Sequence, residues 1–562
     1  LEEHNAKPRP EVSRLVAGFL KPRSANDDLF IESGRLNAQE RAFRRDPGNL
    51  IRIFQLAEEK GVDVHPQALR AVTRSLDLIT PHLQQDPAAN RLFLATLTSR
   101  NSPERALRRM NEAGVLGRFV PPFDHAVALM QFNMYHHYTV DEHLIGAVGI
   151  LAAIERGELK NEHPLATELF RRIASRKALY AAVFLHDIAK GLSGSHSDLG
   201  AQTARTLCPR WGLSYEETDA VVWLVRNHLL MSDTAQRRDI SEPKTVRDFV
   251  EKVQTPDRLR MLLILTVADI RAVGPGVWNA WKAQLLRDLY QEAEFAMSGN
   301  AAPGRAARAE AAREALAQRL ADWPETERVE ALGHHQENYW LSFDEDQLER
   351  HALLRSSAKR SPDLFALDIQ KDLSRGVWEI AVCTPDHKGL FSQLTGAIAA
   401  SGGSIIEARA FTGDDGFALD VFSLRDDESP GFGGSNRLAK FRLTMARAVA
   451  GDKACGPAVI RRVGARRTAV FQVRPRVEFD NEGSTHATVI EVEGRDRPGF
   501  LYDVANALFL EGLSISSARV ATYGERAMDV FYVRDAFGRK IIDSERLAAV
   551  RKRLLEAISP GP

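Results

Sequence analysis

Only three cysteines occur in 562 residues, Cys208, Cys383 and Cys455, far apart and without a Cys-x-x-Cys pair. That scarcity argues against a disulfide framework or a cysteine zinc cluster and fits a reducing compartment. Long apolar runs are also missing. No stretch of about 18 apolar residues is available to span a bilayer, and the polar start, Leu1-Glu2-Glu3-His4, has no signal-peptide core. The expected location is the cytoplasm, with no membrane partner. The initiator methionine is absent, as in a processed chain or a piece of a longer protein. Excess charge is lacking too: 75 Lys and Arg balance 75 Asp and Glu. A nucleic-acid partner held by bulk electrostatics is therefore not expected. What is present is an ordinary globular composition, enough at this length for roughly three or four domains.

Helical periodicity dominates the first half. After Asp46-Pro47, Leu50, Ile51, Ile53, Phe54 and Leu56 recur at helical spacing. Similar patterns follow at 68–78, 91–97, 103–113, 140–156, 178–188, 215–228, 246–252 and 258–270, and strand-like alternation is rare before about residue 375. Residues 301–319, rich in Ala, Arg and Glu, read as an exposed helix within a helical connector over 301–374. The period then changes. Strands are expected at 377–384, 404–411, 417–424 and 468–473, with helices at 390–400 and 438–449. The order recurs as strands at 487–494, 514–522 and 527–534, with helices at 500–511 and 544–558. This is a repeat in βαββαβ order whose second copy is short of its last strand.

The sharpest chemical signal is His186-Asp187 at the end of an apolar helix, with Lys190 one turn beyond. His143 lies on the preceding predicted helix, and His196, His228 and Asp269 follow, giving the order H…HD…H…H…D. Imidazole and carboxylate groups projected from helices into one pocket suit divalent first-row metals. Two ions sharing Asp187 can hold phosphate oxygens and lower the pKa of water, and Lys190 can meet developing phosphoryl charge. Asp269 continues the apolar run 262–267 toward Ile270, where a carboxylate is costly unless paired or metal-bound. A lone histidine is usually a packing or surface residue, so the weight rests on the ensemble. His136 and His137, beside Tyr135 and Tyr138, fit a cleft lining or a packing role equally well. His334, His335 and His351 read as solvated.

At these residues the sequence resembles the HD superfamily of metal phosphohydrolases. Longer strings, YTVDEH (138–143), HDIAKG (186–191), VRNHLLMSDTAQRR (225–238) and DPGNL (46–50), make it similar to the bifunctional uridylyltransferase/uridylyl-removing family that acts on the PII nitrogen-signalling protein. The resemblance implies a multidomain chain: an all-α HD-superfamily phosphohydrolase domain followed by two α+β ferredoxin-like ACT domains. Expected boundaries are 1–60 for the end of a nucleotidyltransferase domain and its connector, 61–300 for the HD domain, 301–374 for the connector, and 375–475 and 485–562 for the ACT domains. His186, Asp187 and Lys190 would be catalytic. His143, His186, Asp187, His196, His228 and Asp269 would bind Mn²⁺ or Mg²⁺, two ions in all. The implied reaction removes UMP from uridylylated PII. The Gly-Ser motif with paired aspartates that marks the family's nucleotidyltransferase domain does not precede the helical region. After Gly191 the family's glycine-rich acidic run is replaced by Leu192-Ser193-Gly194-Ser195.

The turns DHKGLF (386–391) and DRPGFL (496–501) repeat one strand-to-helix device, in which glycine permits a tight turn and the helix start offers amides to a carboxylate. Resemblance to ACT domains implies glutamine as effector, with Asp386 and Asp496 as amino-group contacts and Gly389 and Gly499 as backbone contacts. Two other functions compete. One is a guanosine-tetraphosphate HD hydrolase, disfavoured by the doubled ACT unit and by the absence of a synthetase or small β-domain between about 300 and 375. The other is a non-catalytic PII-binding amino-acid sensor, disfavoured by the intact ligand set.

Overall fold

The computed structural model describes residues 28–130, 138–240, 242–274, 277–298, 305–333, 335, 337–373, 376–425, 435–451, 473–523 and 526–559. The chain divides into two compact units, residues 1–231 with 255–278, and residues 232–254 with 279–562.

The first unit opens with a hairpin, β1 (Leu29–Glu32) and β2 (Arg35–Ala38), and is otherwise helical among the described residues. Five helices position the chemistry: Val140–Arg156, Arg176–Leu185, His196–Arg210, Tyr215–Arg226 and Pro256–Ala272. Side-chain caps fix where four of them begin. Ser175 accepts from the Ala178 amide, Ser195 from that of Asp198, and Thr255 from that of Arg258, while Ser214 and Glu217 form a reciprocal capping box. Arg176–Leu185 is buried from Ala178 onward. Its Phe184 stacks on Phe123 with ring centroids 5.5 Å apart, beside Phe93 and Trp211. Fully burying each such side chain contributes about 1.5–3 kcal/mol, so the core fixes this helix and thereby the residues that follow its end.

The second unit is built on one eight-stranded antiparallel sheet. Its strands are β3 (Ala366–Asp372), β4 (Val377–Pro385), β5 (Ile405–Thr412), β6 (Phe417–Arg425), β7 (Arg476–Asp480), β8 (Thr488–Arg495), β9 (Ser514–Tyr523) and β10 (Arg526–Arg534). Their order is β3-β4-β6-β5-β9-β10-β8-β7. Read outward from the β5–β9 seam, each half repeats the other. The helices expected from sequence lie at Leu390–Ala400, Ser435–Val449, Phe500–Leu510 and Ser544–Ile558. They share one core with Val382, Ala408, Phe422, Val492, Ala518 and Phe531.

The outer strand of each repeat differs from expectation. The place beside β4 is taken by β3, and that beside β8 by β7, both from the chain just upstream. Each forms a hairpin with its neighbour, which costs little loop-closure entropy. The second repeat therefore has its fourth strand despite the short C-terminus. Residues 468–472 of the expected closing strand lie outside the described residues.

On the opposite face of the first repeat, helices Arg305–Arg319, Glu325–Leu332 and Glu345–Arg360 form a second core with Ala381, Cys383, Leu419 and Val421. The 301–319 segment is thus not simply an exposed helix. Ala309, Leu316 and Leu320 make a buried stripe at helical spacing. His351 is also buried, packed edge-on against Phe343 at 4.5 Å, which corrects the expectation of a solvated residue. Burial lowers its pKa to about 3, so the ring is neutral. His335 is half-buried and stacked on Tyr339, and His334 lies outside the described residues.

The seam carries a buried ion pair. Glu407 and Arg519 are direct cross-strand partners, both 2% exposed, and the guanidinium bonds the carboxylate. Asp239 lies 3.4 Å from the same guanidinium, and its amide donates to the Tyr532 hydroxyl. Arg409 of the same strand also donates to Glu407, at 2.8 Å, so losing Arg519 removes one of the buried carboxylate's two guanidinium partners. Arg519→Met should cost about 3 kcal/mol in urea unfolding, and adding Glu407→Leu should restore more than half of it. Simple additivity of the two losses would show that the residues do not act as a pair.

Candidate metal centre and paired turns

Six sequence-predicted residues of the first unit converge because each stands at or near a helix end. His143 is in the first turn of Val140–Arg156, and His186-Asp187 follow Arg176–Leu185 directly. His196 begins its helix, His228 comes two residues after Tyr215–Arg226, and Asp269 is in the last turn of Pro256–Ala272. His143, His186, Asp187 and His228 are at most 2% exposed.

They form two adjoining groups, His143 with His186 and Asp269, and Asp187 with His196 and His228. Within each, the ligand atoms lie within 4.8 Å of one another. In the first group, His143 Nε2 is 3.1 Å from His186 Nε2 and 3.2 Å from Asp269 Oδ1. In the second, His196 and His228 each place Nε2 3.5 Å from Asp187 Oδ1. Asp187 Oδ2 turns toward the first group, 3.9 Å from His143 and 3.8 Å from His186. One carboxylate therefore faces both groups.

The ring orientations fit metal binding. His186 Nδ1 and His228 Nδ1 each lie 2.8 Å from a backbone carbonyl, those of Val183 and Val225. A proton held there leaves the Nε2 lone pair directed into the cluster, the usual second-shell arrangement of a ligating histidine. The Oδ1 of Asp187 is buried with no hydrogen-bond partner, as a group made for a cation would be.

Charge is concentrated here. Burial works to raise the Asp187 carboxyl, but Lys190, His228 and His186 outweigh it and hold it well below the usual carboxylate range. The Lys190 ammonium donates to Asp187 Oδ2 at 2.6 Å. Asp269 is likewise opposed by burial and held low by His186 and His143. His186 is pulled down by burial and pushed up by Asp269 and Asp187, which win, to about 8. His196 is lowered, chiefly by burial. Gly191, just past the lysine, has φ +89°, and a Cβ there would lie 2.7 Å from Leu129 Cδ2. The positive φ calls for glycine there, whereas the close contact is only with the movable end of a leucine side chain. His136 and His137 lie outside the described residues.

In the second unit, Gly389 and Gly499 are N-caps at φ +85° and +83°, and neither helix has a side-chain cap. Asp386 is exposed and accepts from the Thr412 hydroxyl at 2.8 Å, whereas Asp496 is half-buried. The sequence reading missed two aspartates, Asp420 and Asp529, although the repeat spells them out as Ala-x-Asp-Val-Phe at 418–422 and 527–531. Both are buried, at 3% and 1% exposed. Burial, with Asp386 adding to it, raises Asp420 to about 8, and burial with Asp496 raises Asp529 well above the usual range.

Comparison with known proteins matches residues 30–119 to the third domain of uridylyltransferase GlnD, 140–272 to the HD domain, and 483–558 to the N-terminal ACT domain of the ACR family. The chain is 50% identical to the bifunctional uridylyltransferase/uridylyl-removing enzyme of Azospirillum brasilense over 566 residues, covering 100% of this chain. It is 46% identical to the enzyme of that name from Rhodospirillum rubrum over 99% of this chain. It spans 60% of the length of each. A solved complex of CCA-adding enzyme with CTP aligns at TM-score 0.32 and 12% identity over 58% of this chain and 64% of that one, too slight a likeness to argue from.

The geometry predicts how metal should load. After chelation, titration with Mn²⁺ should give two ions per chain, and His143→Ala or His228→Ala should each lose one. Asp187→Asn should weaken both. At about 100 times the dissociation constant, each ion should stabilise the chain by about 2.7 kcal/mol, read as a rise in thermal midpoint. A single ion lost equally in every variant would show that the two groups are one site.

Proposed function

We propose that this chain, which belongs to the family of bifunctional uridylyltransferase/uridylyl-removing enzymes, hydrolyses the phosphodiester joining UMP to a tyrosine of PII, with glutamine regulating it through the repeated sheet units. The observation that carries the chemistry is the pair of His/Asp groups sharing Asp187. Divalent ions, Mn²⁺ or Mg²⁺, bound by His143, His186, Asp187, His196, His228 and Asp269 would supply Lewis acidity and a low-pKa water at the phosphorus. The protein's own part is to keep these donors ready. Helix ends fix their positions, the Val183 and Val225 carbonyls orient two imidazoles, and Lys190 keeps Asp187 ionised. An ammonium has three protons, so Lys190 can bond Asp187 and still meet negative charge growing on phosphoryl oxygens.

The leaving group suits this set. A tyrosinate, with a phenol pKa near 10, departs with less acid assistance than an alkoxide. No helix in the described residues is long and apolar enough to cross a membrane, and a cytoplasmic location accords with PII as substrate. The uncapped helix starts at Gly389 and Gly499, each following an aspartate turn, support amino-acid binding.

The test is UMP release from uridylylated PII with Mn²⁺, with and without glutamine. Release should rise with glutamine. In Asp187→Asn it should fall by about 100-fold or more, at least matching the 10–100-fold cost typical of losing a metal's outer-shell partner. Cleavage of guanosine tetraphosphate in place of uridylylated PII would reassign the substrate. No hydrolysis of either, with less than one ion bound per chain, would make the chain a sensor rather than an enzyme.

A further inference from the structure

The string Tyr138–His143 does more than supply His143. Asp141, two residues before it and buried, accepts from the Asn111 side-chain amide at 2.7 Å and from the Ala128 backbone amide at 3.3 Å. The backbone closes the same clasp: Val140 donates to the Leu129 carbonyl at 3.1 Å, and Asp141 to that of Ala126 at 3.3 Å. The turn 126–129 is thereby tied to the first turn of the helix that carries His143. Ala128 is held there at φ +56°, a left-handed conformation costly for alanine that such a clasp can enforce. On its other side the turn meets the loop after Lys190, where the Leu129 side chain lies against Gly191. It therefore borders the metal centre from His143 to Lys190.

What this border exposes is hydrophobic. Among the described residues of the first unit, the bulky hydrophobic side chains left exposed are Val127, Met130, Tyr138, Leu192, Tyr215 and Leu229. All but Tyr215 flank this turn or stand beside the centre, Leu192 directly after Gly191 and Leu229 directly after His228. Hydrophobic side chains exposed singly mean little, but a gathering of them marks contact with another surface. The floor they surround, Lys190 with donors for divalent ions, suits an anion. Charge complementarity then selects the occupant. A nucleotide with several phosphates would call for arginines and lysines around it. A single phosphodiester charge set in an apolar protein surface suits a hydrophobic border instead.

We propose that Val127, Met130 and Leu192 determine specificity by contacting the folded protein that carries the phosphodiester. Asp141 is the positioning residue that holds Val127 and Met130 in place. The assignment rests on the hydrolase reading above and adds the surface that separates a uridylylated protein from a small nucleotide ester.

Steady-state kinetics of the whole chain with Mn²⁺ tests it, comparing uridylylated PII with the p-nitrophenyl ester of UMP, which offers the same phosphodiester without a protein. In Val127→Ser/Met130→Ser, the KM for uridylylated PII should rise about 10-fold at little-changed kcat, because two apolar contacts are lost from binding alone. The p-nitrophenyl ester should be cleaved as by the parent chain. Leu192→Ser should act in the same direction, and serine at these exposed positions should leave the thermal midpoint level. Asp141→Asn, which replaces one acceptor oxygen with a donor, should reproduce the split between substrates with Mn²⁺ loading intact. An unchanged KM for uridylylated PII in the serine variants, or equal losses on both substrates, would overturn this assignment and leave hydrolysis of uridylylated PII standing. A parent chain that does not cleave uridylylated PII would overturn both this assignment and the reading it rests on.

Discussion

A carboxylate taken out of water must meet positive charge, coordinate a metal, or give up its own charge to a proton. Both units of this protein are organised around that constraint, and they answer it differently. In the first, Asp187 and Asp269 are surrounded by histidines, of which His186 and His228 set their outer nitrogens against backbone carbonyls, with Lys190 added. In the second, Glu407 is met by Arg519 across the seam. Asp420 and Asp529 have neither, and burial drives them toward the neutral acid. The contrast separates His/Asp groups that could hold a metal, an ion pair within the sheet, and two buried acids whose carboxyl groups burial pushes up.

The clustering of these histidines and aspartates was legible in the sequence because the residues stand out locally. Asp269 inside an apolar helix, and His186-Asp187 directly after one, are anomalies that a periodic pattern exposes. Helix ends bring such residues together without requiring knowledge of strand pairing. The repeat was legible for a similar reason: two matching turns, each between a strand and a helix, fix the phase of everything around them.

Other features were hidden because their causes are non-local. Strand β3, Ala-Leu-Asp-Ile-Gln-Lys-Asp, looks like a polar connector until it is seen beside β4. His351 follows a charged stretch, and only the packing of its helix against Phe343 and the sheet takes it out of water. The ion pair at the seam joins residues over a hundred positions apart, and nothing in either strand announces the other. Asp420 and Asp529 were visible as an aspartate within an apolar strand, by the same logic that singled out Asp269. The strand rule of alternating faces obscured them, since a polar residue in a strand is ordinarily assigned to the solvent side.

The seam's ion pair has a cost that a pair of apolar residues would not incur, because both charges lose their hydration. What it offers in return is register. Ala408 opposite Ala518 would tolerate a slip, and a one-residue slip turns every side chain on a strand to the other face. A slip would part Glu407 from Arg519, leaving Glu407 with Arg409 of its own strand and Arg519 with Asp239. Holding that register keeps the two halves of the sheet in matching phase, so that Ala418, Asp420 and Phe422 of one repeat and Ala527, Asp529 and Phe531 of the other all face the same layer of helices. The charged pair on one face of the sheet thus fixes which face receives the uncompensated acids on the other.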